Sequence, residues 1–299
     1  MTTFSAEVKN ELCQPRIERK CCAVAEAYGV LLFCSVFNAR EIRIATASED
    51  FAQRLPALFK KAFNLRFDRV GGSGSGRWSF CISDAEKIKS IFDTLGSGTD
   101  SLSLHINFGI IEEPCDRAAF LRGAFLAGGS VTDPEKRYHL EFSTGHGAVA
   151  REAAYAMQEL GFTPGQSERR GNQLLYFKRS DEIADVLTAI GASNCSMKVV
   201  AAKIEKGMNN SVMRQVNCDS ANADRTVKAA QQQLEDILRI KRDYGLDALP
   251  EPLYEAALLR LANPEVSLAD LSALSFPHVS KSCLAHRMRK IAVFGTEEE

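Results

Sequence analysis

The stretch FLRGAFLAGGSV (Phe120 to Val131) decides the fold. It forms most of an apolar helix that begins near Arg117, carries Gly123 in its interior and ends at a pair of glycines. A glycine inside a helix costs roughly 1 kcal/mol relative to alanine, and it is tolerated where another helix must approach closely. The small neighbours Ala124 and Ala127 favour the same interpretation. We therefore predict that a second helix packs directly against this one.

A second copy of this pattern lies upstream. CCAVAEAYGVLLFCSV (Cys21 to Val36) is also an apolar helix, and its Gly29 precedes the first glycine by 123 − 29 = 94 residues. After each helix come a short strand, a strand of alternating polarity, an amphipathic helix, a two-stranded hairpin and a short helix. The halves, about 21–97 and 117–192, thus share the order α-β-β-α-β-β-α. One such helix alone would be an ordinary buried helix, but the repeat predicts a pseudo-symmetric pair.

Serines and glycines mark the ends of the last helix in each half. Ser83 and Glu86 have the spacing of a capping box, and Ser180 is predicted to cap the equivalent helix. Gly96 and Gly191 are predicted to end these two helices, because glycine readily adopts the left-handed conformation found there.

Composition excludes several classes of protein. The chain has 299 residues with 45% hydrophobic and 25% charged side chains, which is ordinary for a globular protein and unlike disordered or collagenous chains. Its longest apolar run, Tyr28 to Phe37, is about half of what a bilayer requires, and the first residues are too polar for a signal peptide. We expect a cytoplasmic protein. The net charge of −1 leaves a nucleic-acid partner undecided, so local clustering must decide it.

The nine cysteines are predicted to be reduced thiols that mostly fill the core. None forms a CxxC pair, and no histidine is close enough along the chain to complete a zinc pattern. We therefore predict no metal site and no cofactor. They are Cys13, Cys21, Cys22, Cys34, Cys81, Cys115, Cys195, Cys218 and Cys283.

The glycine-bearing helices resemble a known motif. FLRGAFLAGGSV is similar to the LAGLIDADG signature of homing endonucleases, and AYGVLLFCS (Ala27 to Ser35) resembles a degenerate second copy. In that family the two motif helices form an interface, an acidic residue near the end of each binds the catalytic metal, and two sheets hold the DNA duplex. The resemblance therefore implies an α+β domain with two saddle-shaped sheets.

The resemblance places the two acidic positions at Cys34 and Gly128, and a second acidic position of each motif at Leu32 and Leu126. None of these residues is a carboxylate, and Mg²⁺ prefers hard oxygen ligands. The resemblance thus implies a domain with no catalytic residues and no catalytic metal. Asp133 and Glu135 lie just downstream, and substitution by them is the one alternative that leaves a nuclease possible.

Three further segments resemble the WhiA family. They are SAEVKNEL near the start, NSVMRQVNCDSANADRTVKAA (Asn210 to Ala230) and the tail SLADLSAL followed by VSKSCLAHRMRKI. The family joins an inert LAGLIDADG-like domain to a C-terminal helix-turn-helix domain similar to region 4 of sigma factors. The resemblance implies a DNA-binding transcription regulator connected with cell division, chromosome segregation and sporulation.

The C-terminal residues by themselves predict the same helical domain. After an amphipathic helix that ends at Gly245 comes a helix opened by Pro250 and Pro252, and then two helices capped by Ser267 and Ser280. A short helix, a turn and a basic helix form a helix-turn-helix.

Helical geometry divides the last helix into two faces. Leu284, Met288 and Ile291 form an apolar stripe, while Ser282, His286 and Arg289 project opposite, where an arginine can read guanine in the major groove. No acidic residue occurs between positions 271 and 296, so this region is basic although the chain is nearly neutral. The alternative is a solvated basic helix without a ligand. The predicted DNA-binding residues are Ser280, Lys281, Ser282, Ala285, His286, Arg287, Arg289 and Lys290.

The predicted organisation is a pseudo-symmetric two-repeat LAGLIDADG-like α+β domain followed by an all-α domain. Its parts are an N-terminal helix or arm (1–20), the two-repeat domain (21–196), a linker (197–221), the helix-turn-helix domain (222–294) and an acidic tail (295–299). Polar linker residues could hold the domains together or contact DNA or RNA polymerase, and the sequence leaves these alternatives open; they are Asn210, Arg214, Asn217 and Asn222.

The predicted function is that of a nucleoid-associated transcription regulator whose partner is double-stranded DNA, and not that of an enzyme. Two alternatives remain at this point. One is a protein adaptor that docks on RNA polymerase, a sigma factor or a division protein. The other is a residual metal-dependent DNA endonuclease.

Overall fold

The computed structural model describes residues 3–72, 76–96, 98 and 103–295, and it divides into two compact units, Met1–Lys206 and Gly207–Glu299. The helices of the first unit are α1 (Phe4–Cys13), α2 (Lys20–Phe33), α3 (Glu49–Phe63), α4 (Ala85–Thr94), α5 (Pro114–Gly128), α6 (Gly147–Glu159) and α7 (Ser180–Ile190). Its strands are β1 (Val36–Phe37), β2 (Ile42–Thr46), β3 (Arg69–Gly72), β4 (Trp78–Ile82), β5 (Gly129–Val131), β6 (Leu140–Thr144), β7 (Gly165–Arg169) and β8 (Asn172–Phe177).

The two predicted halves are confirmed by the sheet topology. Each half contributes a four-stranded antiparallel sheet, with the order β1-β2-β4-β3 in the first and β5-β6-β8-β7 in the second. Apolar side chains alternate along the central strands, as Ile42 and Ile44 do on β2, so that one face of each sheet is buried. The order α-β-β-α-β-β-α occurs twice, as the sequence predicts.

Helices α2 and α5 pack so closely that neither can carry a side chain at its central glycine. A Cβ atom on Gly29 would lie 2.0 Å from the carbonyl oxygen of Phe120, and one on Gly123 would lie 1.9 Å from that of Glu26. These contacts are reciprocal, because Phe120 follows Glu26 by the same 94 residues that separate the glycines. The predicted side-by-side packing of the two helices is therefore confirmed, and a pseudo-two-fold axis relates one helix to the other.

A buried ion-pair network is centred on Glu26, a side chain that is only 1% exposed. Its carboxylate accepts hydrogen bonds from Arg54 Nε at 2.6 Å and from Arg122 Nε at 3.0 Å. Arg54 also donates to the carbonyl oxygens of Cys13 and Pro15. Two arginines compensate one buried carboxylate, and together they connect α2 with α3, α5 and the end of α1.

The predicted N-terminal arm contains α1, which packs Val8 and Leu12 into the core of the first unit. The carboxylate of Glu11 accepts hydrogen bonds from the backbone of Asn194 at 2.7 Å and of Cys195 at 2.9 Å. Burial acts to raise the pKa of Glu11, but these hydrogen bonds lower it below its usual value.

Two predicted caps are wrong. Helix α4 is capped by Asp84, whose side chain accepts from the backbone N–H of Glu86 and Lys87, while the N–H of Ser83 donates to Asp68. Ser180 is the first residue within α7, and the residue before it makes no side-chain cap. The predicted glycine ends are confirmed in the left-handed region, with φ of 66° at Gly96 and 106° at Gly191.

The second unit consists of helices. Helix α8 (Ser193–Asp243) contains the boundary between the units, and α9 (Glu251–Ala262), α10 (Leu268–Ala273) and α11 (Lys281–Val293) follow it. Residues 197–221, predicted to be a linker, are helical throughout. In the predicted acidic tail, residues 296–299 lie outside the described residues. No helix in the described ranges is long and apolar enough to cross a membrane.

Glycines at a close helix contact and glycines on an open helix surface should respond differently to replacement by alanine. We expect Gly123→Ala to lower the free energy of unfolding by about 3 kcal/mol or more, because the new Cβ would overlap a backbone carbonyl that cannot move aside. Gly207→Ala, in an open part of α8 with no atom within 4 Å, should instead be neutral or stabilise by up to about 1 kcal/mol. Urea unfolding of both variants measures the difference, and equal stabilities would contradict the close packing.

Candidate nucleic-acid interface and the degenerate metal positions

Helices α10 and α11 form a helix-turn-helix whose ends are fixed by serine side chains. Ser267 accepts a hydrogen bond from the N–H of Asp270, and Ser280 accepts one from the N–H of Cys283, so both predicted caps are confirmed. Within the turn, Ser272 donates to the carbonyl oxygen of Val279 at 2.6 Å. These bonds set where α11 begins, which in turn sets the direction of its side chains.

The apolar stripe of α11 lies in the core of the second unit. Leu284, Met288 and Ile291 are buried, and the helix packs against α9 and α10. This burial confirms the predicted inward face. It also places the opposite face of α11 in solvent.

Most of the predicted DNA-binding residues are on the accessible part of α11. Ser282, His286 and Arg289 project away from the core, and all three are exposed. Arg289 Nε donates to the carbonyl oxygen of Ala285 at 3.4 Å, a long contact that leaves its other donors available. Ser280, Lys281 and Lys290 are exposed as well, and Ala285 is half-buried.

Arg287 lies apart from that face. Its side chain is 20% exposed and its Nη1 is 3.8 Å from a carboxylate oxygen of Glu255 on α9. Both residues line a groove of about 330 Å³ beside Phe276. Arg287 lies about 60° around the helix axis from the buried Leu284. It faces an acidic residue of another helix and therefore does not join the residues that project from α11.

The sequence interpretation missed Arg260, a buried cation close to the helix-turn-helix. Its Nη1 donates to the carbonyl oxygens of Val266 at 2.5 Å and Asn263 at 3.3 Å, and its buried Nε has no hydrogen-bond partner among the described residues. Burial lowers the pKa of Arg260 below its usual value. Arg225 and Lys281 join it around a cavity of about 220 Å³. Three cationic side chains at one cavity suit an anion such as a phosphate group.

Neither Cys34 nor Gly128, which occupy the acidic positions of the motif in the first unit, can replace a carboxylate. The single S–H of Cys34 is shared between the carbonyl oxygens of Leu31 and Val36, each 3.2 Å from Sγ, and burial raises the pKa of Cys34 to about 12. The thiol is therefore neutral at physiological pH. At Gly128 a Cβ would lie 2.3 Å from the carbonyl oxygen of Ser143. This position therefore excludes any side chain.

The neighbouring candidates do not change this arrangement. Leu32 and Leu126 are each 1% exposed within the core. Asp133 Oδ1 accepts from the backbone N–H of Glu135 at 3.0 Å within a turn. Three potential metal ligands do come together in the described part of the chain, namely Cys21, Cys22 and Asp116. They lie where α2 and α5 begin, at the other end of each helix from Cys34 and Gly128. The search for ligand spacing along the chain missed them, because they come from two distant segments.

The polar residues predicted to lie in the linker are exposed on α8; these are Asn210, Arg214, Asn217 and Asn222. Asn222 makes local contacts on its own helix, with Cys218 and Arg225.

Comparison with known proteins gives a consistent family. Residues 117–209 match the WhiA LAGLIDADG-like domain, and residues 212–294 match the WhiA C-terminal HTH domain. The chain is 33% identical to the "Probable cell division protein WhiA" of Ruminiclostridium cellulolyticum, over 97% of this chain and 96% of that protein. It is 34% identical to the protein of the same name from Clostridium botulinum, over 99% and 98% of the two chains.

Two solved structures are similar as well. The crystal structure of full-length WhiA from Thermotoga maritima matches with a TM-score of 0.62 and 25% identity, and the match covers 100% of this chain and 99% of that one. The N-terminal LAGLIDADG domain of a WhiA protein matches with a TM-score of 0.52 and 23% identity, over 64% of this chain and 91% of that chain. The α+β fold with a LAGLIDADG-like domain and a helical C-terminal domain is thereby confirmed.

Rebuilding the acidic position should fail for steric reasons. We expect Gly128→Asp to destabilise the first unit by about 3 kcal/mol or more, and to give no Mg²⁺-dependent nicking of plasmid DNA. Gly71→Asp is the matched control, because the nearest atom to a Cβ there is 3.9 Å away on an exposed strand. A Gly128→Asp protein that is as stable as the control, or that cuts DNA, would contradict this account.

Proposed function

This chain belongs to the WhiA family, and we propose that it is a DNA-binding transcription regulator acting in cell division, chromosome segregation and sporulation-type differentiation. Its partner is double-stranded DNA, which it binds through α11, and its place in the cell is the nucleoid. The names of its relatives support the role in cell division, and the match to a helix-turn-helix domain supports the binding of DNA.

The observation that carries this proposal is the outward face of α11. Arg289 presents a guanidinium that can donate two hydrogen bonds to guanine O6 and N7, beside His286 and the small Ser282. Lys281 and Lys290 flank this face, where they can contact phosphates. Contacts to bases specify the sequence, whereas contacts to phosphates position the protein.

The cavity at Arg260 supplies a second support. Arg225, Arg260 and Lys281 surround it, and Ser267 places the N-terminus of α10 at its edge. A phosphate of the DNA backbone at this place would pair with these cations. It would hold α10 on the backbone while α11 enters the groove. Arg287 is left out of the proposed DNA contacts because Glu255 faces it.

The first unit acts in this proposal as a scaffold without catalytic function. Its motif helices end in Cys34 and Gly128, where the metal-clamping carboxylates of a nuclease would be required. The fold retains the helix pair and the two sheets, because both are determined by packing rather than by the lost carboxylates.

A second candidate function is protein docking, favoured by an apolar patch beside the helix-turn-helix. Phe276 is fully exposed and Leu258 is 44% exposed, and both line the same groove. Leu274, two residues before Phe276, is 55% exposed. RNA polymerase or a sigma factor would be the partner. In that case Phe276→Ser should abolish capture of purified polymerase holoenzyme while leaving the affinity for DNA unchanged.

The proposed reading arginine can be tested by titration. Arg289→Ala should cost about 1–3 kcal/mol of binding free energy on a specific site and relax sequence preference there, because it removes a base contact. Lys290→Ala should weaken binding to all sequences alike and reduce the slope of log K against log salt by about 1. Fluorescence anisotropy with labelled duplexes at several salt concentrations measures both.

The matched control is Arg242→Ala. Arg242 is an exposed arginine of the same unit, but it pairs with Asp243 at 2.7 Å and lies outside α11. A genome-wide map of bound sites for the wild type and Arg289→Ala supplies the specific duplexes. Equal affinity and equal sequence preference of the Arg289→Ala and wild-type proteins would overturn the assignment of Arg289.

A further inference from the structure

Three thiols and a carboxylate gather where α2 and α5 begin. The Sγ atoms of Cys21 and Cys22 are 3.9 Å apart, and Cys115 Sγ is 3.7 Å from Asp116 Oδ1. One ligand atom from each of Cys21, Cys22 and Asp116 lies within 4.8 Å of the other two. Three potential ligands from two distant segments therefore meet at one place, and the thiol of Cys115 lies beside one of them, Asp116.

The pseudo-symmetry of the first unit explains this meeting. The offset of 94 residues that relates Gly29 to Gly123 also relates Cys21 to Cys115 and Cys22 to Asp116. The two dipeptides are thus equivalent positions in the two repeats. They face each other for the same reason as the glycines do, because α2 and α5 lie close to the pseudo-two-fold axis along their length.

The burial of Asp116 supplies an independent observation. This side chain belongs to a residue only 6% exposed, yet none of the ion pairs among the described residues includes it. The other buried carboxylate of this helix pair, Glu26, has two arginines. Asp116 accepts a hydrogen bond from the thiol of Cys115 at 3.7 Å and lies in the first turn of α5. A bound cation would add the full positive charge that stabilises a buried carboxylate.

We propose that Cys21, Cys22 and Asp116 form a binding site for a divalent transition-metal ion, with Zn²⁺ as the preferred ion, and that rotation of the neighbouring Cys115 side chain supplies the fourth ligand. Thiolates select soft or borderline metals over Mg²⁺ and Ca²⁺. A tetrahedral Zn²⁺ with bonds of 2.3 Å to sulfur requires sulfur atoms about 3.8 Å apart. The observed separation of Cys21 and Cys22 already matches this requirement.

Four protein ligands would make this a closed, structural site. The ion would join the first turns of α2 and α5, at the ends opposite to Cys34 and Gly128. It would also neutralise Asp116 together with the thiolates. Exposure of Cys21 and Cys115 gives the ion a path of entry.

Disulfide formation is the competing chemistry for these thiols. Oxidation of two cysteines would consume two of the three thiols and leave the carboxylate of Asp116 without a partner. Purified protein in this disulfide-bonded form would also contain no metal at the site. Metal analysis and thiol counting therefore separate the two outcomes.

The experiment uses the full chain, reduced and stripped with a chelator. Titration with Zn²⁺ alone should give one equivalent bound, raise the midpoint of thermal unfolding and protect three thiols from a thiol reagent. Titration with Co²⁺ should give sulfur-to-metal charge-transfer absorption that Zn²⁺ abolishes. Failure to bind either ion, or binding without thiol protection, would overturn the proposal.

Single substitutions locate the ion. Cys115→Ser and Asp116→Asn should each weaken Zn²⁺ binding by about 100-fold or more, whereas Cys218→Ser, an exposed cysteine on α8, should leave it unchanged. Circular dichroism of the metal-free variants verifies that they are folded. If the folded Cys115→Ser and Cys218→Ser proteins bind Zn²⁺ equally well, the site is wrong. None of these measurements depends on DNA binding.

Discussion

The close approach of α2 and α5 is the constraint on which the first unit depends. Backbone carbonyls of one helix occupy the space where the other helix would carry a Cβ atom, at Gly29 and at Gly123. Dispersion forces and burial act over the whole length of such an interface, and only glycine permits it. The sheets then follow in order from the two helices, so one local contact sets the relation of both repeats.

The two ends of this helix pair differ in chemistry. At the ends where α2 and α5 run into the sheets, a neutral thiol and a glycine replace the acidic ligands, and Ser143 fills the space beside the glycine. At the starting ends, equivalent dipeptides bring thiols to a buried carboxylate. The pseudo-symmetry that brings two acidic residues together at one end of the motif helices in a nuclease can therefore bring metal ligands together at the other end.

In the second unit the buried side of α11 decides which of its side chains are exposed. Leu284 and Met288 fix the rotation of the helix, which points Arg289 outward. The serine caps fix where the helix begins. The buried Arg260 donates hydrogen bonds to two carbonyl oxygens of the loop between α9 and α10. It therefore stabilises the start of the helix-turn-helix.

The sequence by itself determined the order of elements in each repeat and the two faces of α11, because each depends on periodicity within one segment. It also determined the pairing of the glycine-bearing helices, because the same pattern occurs in both repeats. The resemblance to the LAGLIDADG motif placed Cys34 and Gly128 at the acidic positions, and neither residue carries a carboxylate. Only the tertiary structure decided that Arg287 faces Glu255, that Arg260 is buried beside two other cations, and that Cys21 and Cys22 meet Asp116. These pairings join segments far apart along the chain, and spacing rules consider neighbours in sequence. The predicted cap of α4 failed because neighbouring polar residues compete: Asp84 caps the helix, while Asp68 accepts from the N–H of Ser83. The predicted cap of α7 failed because Ser180 already lies inside the helix, and Arg179 before it makes no side-chain cap.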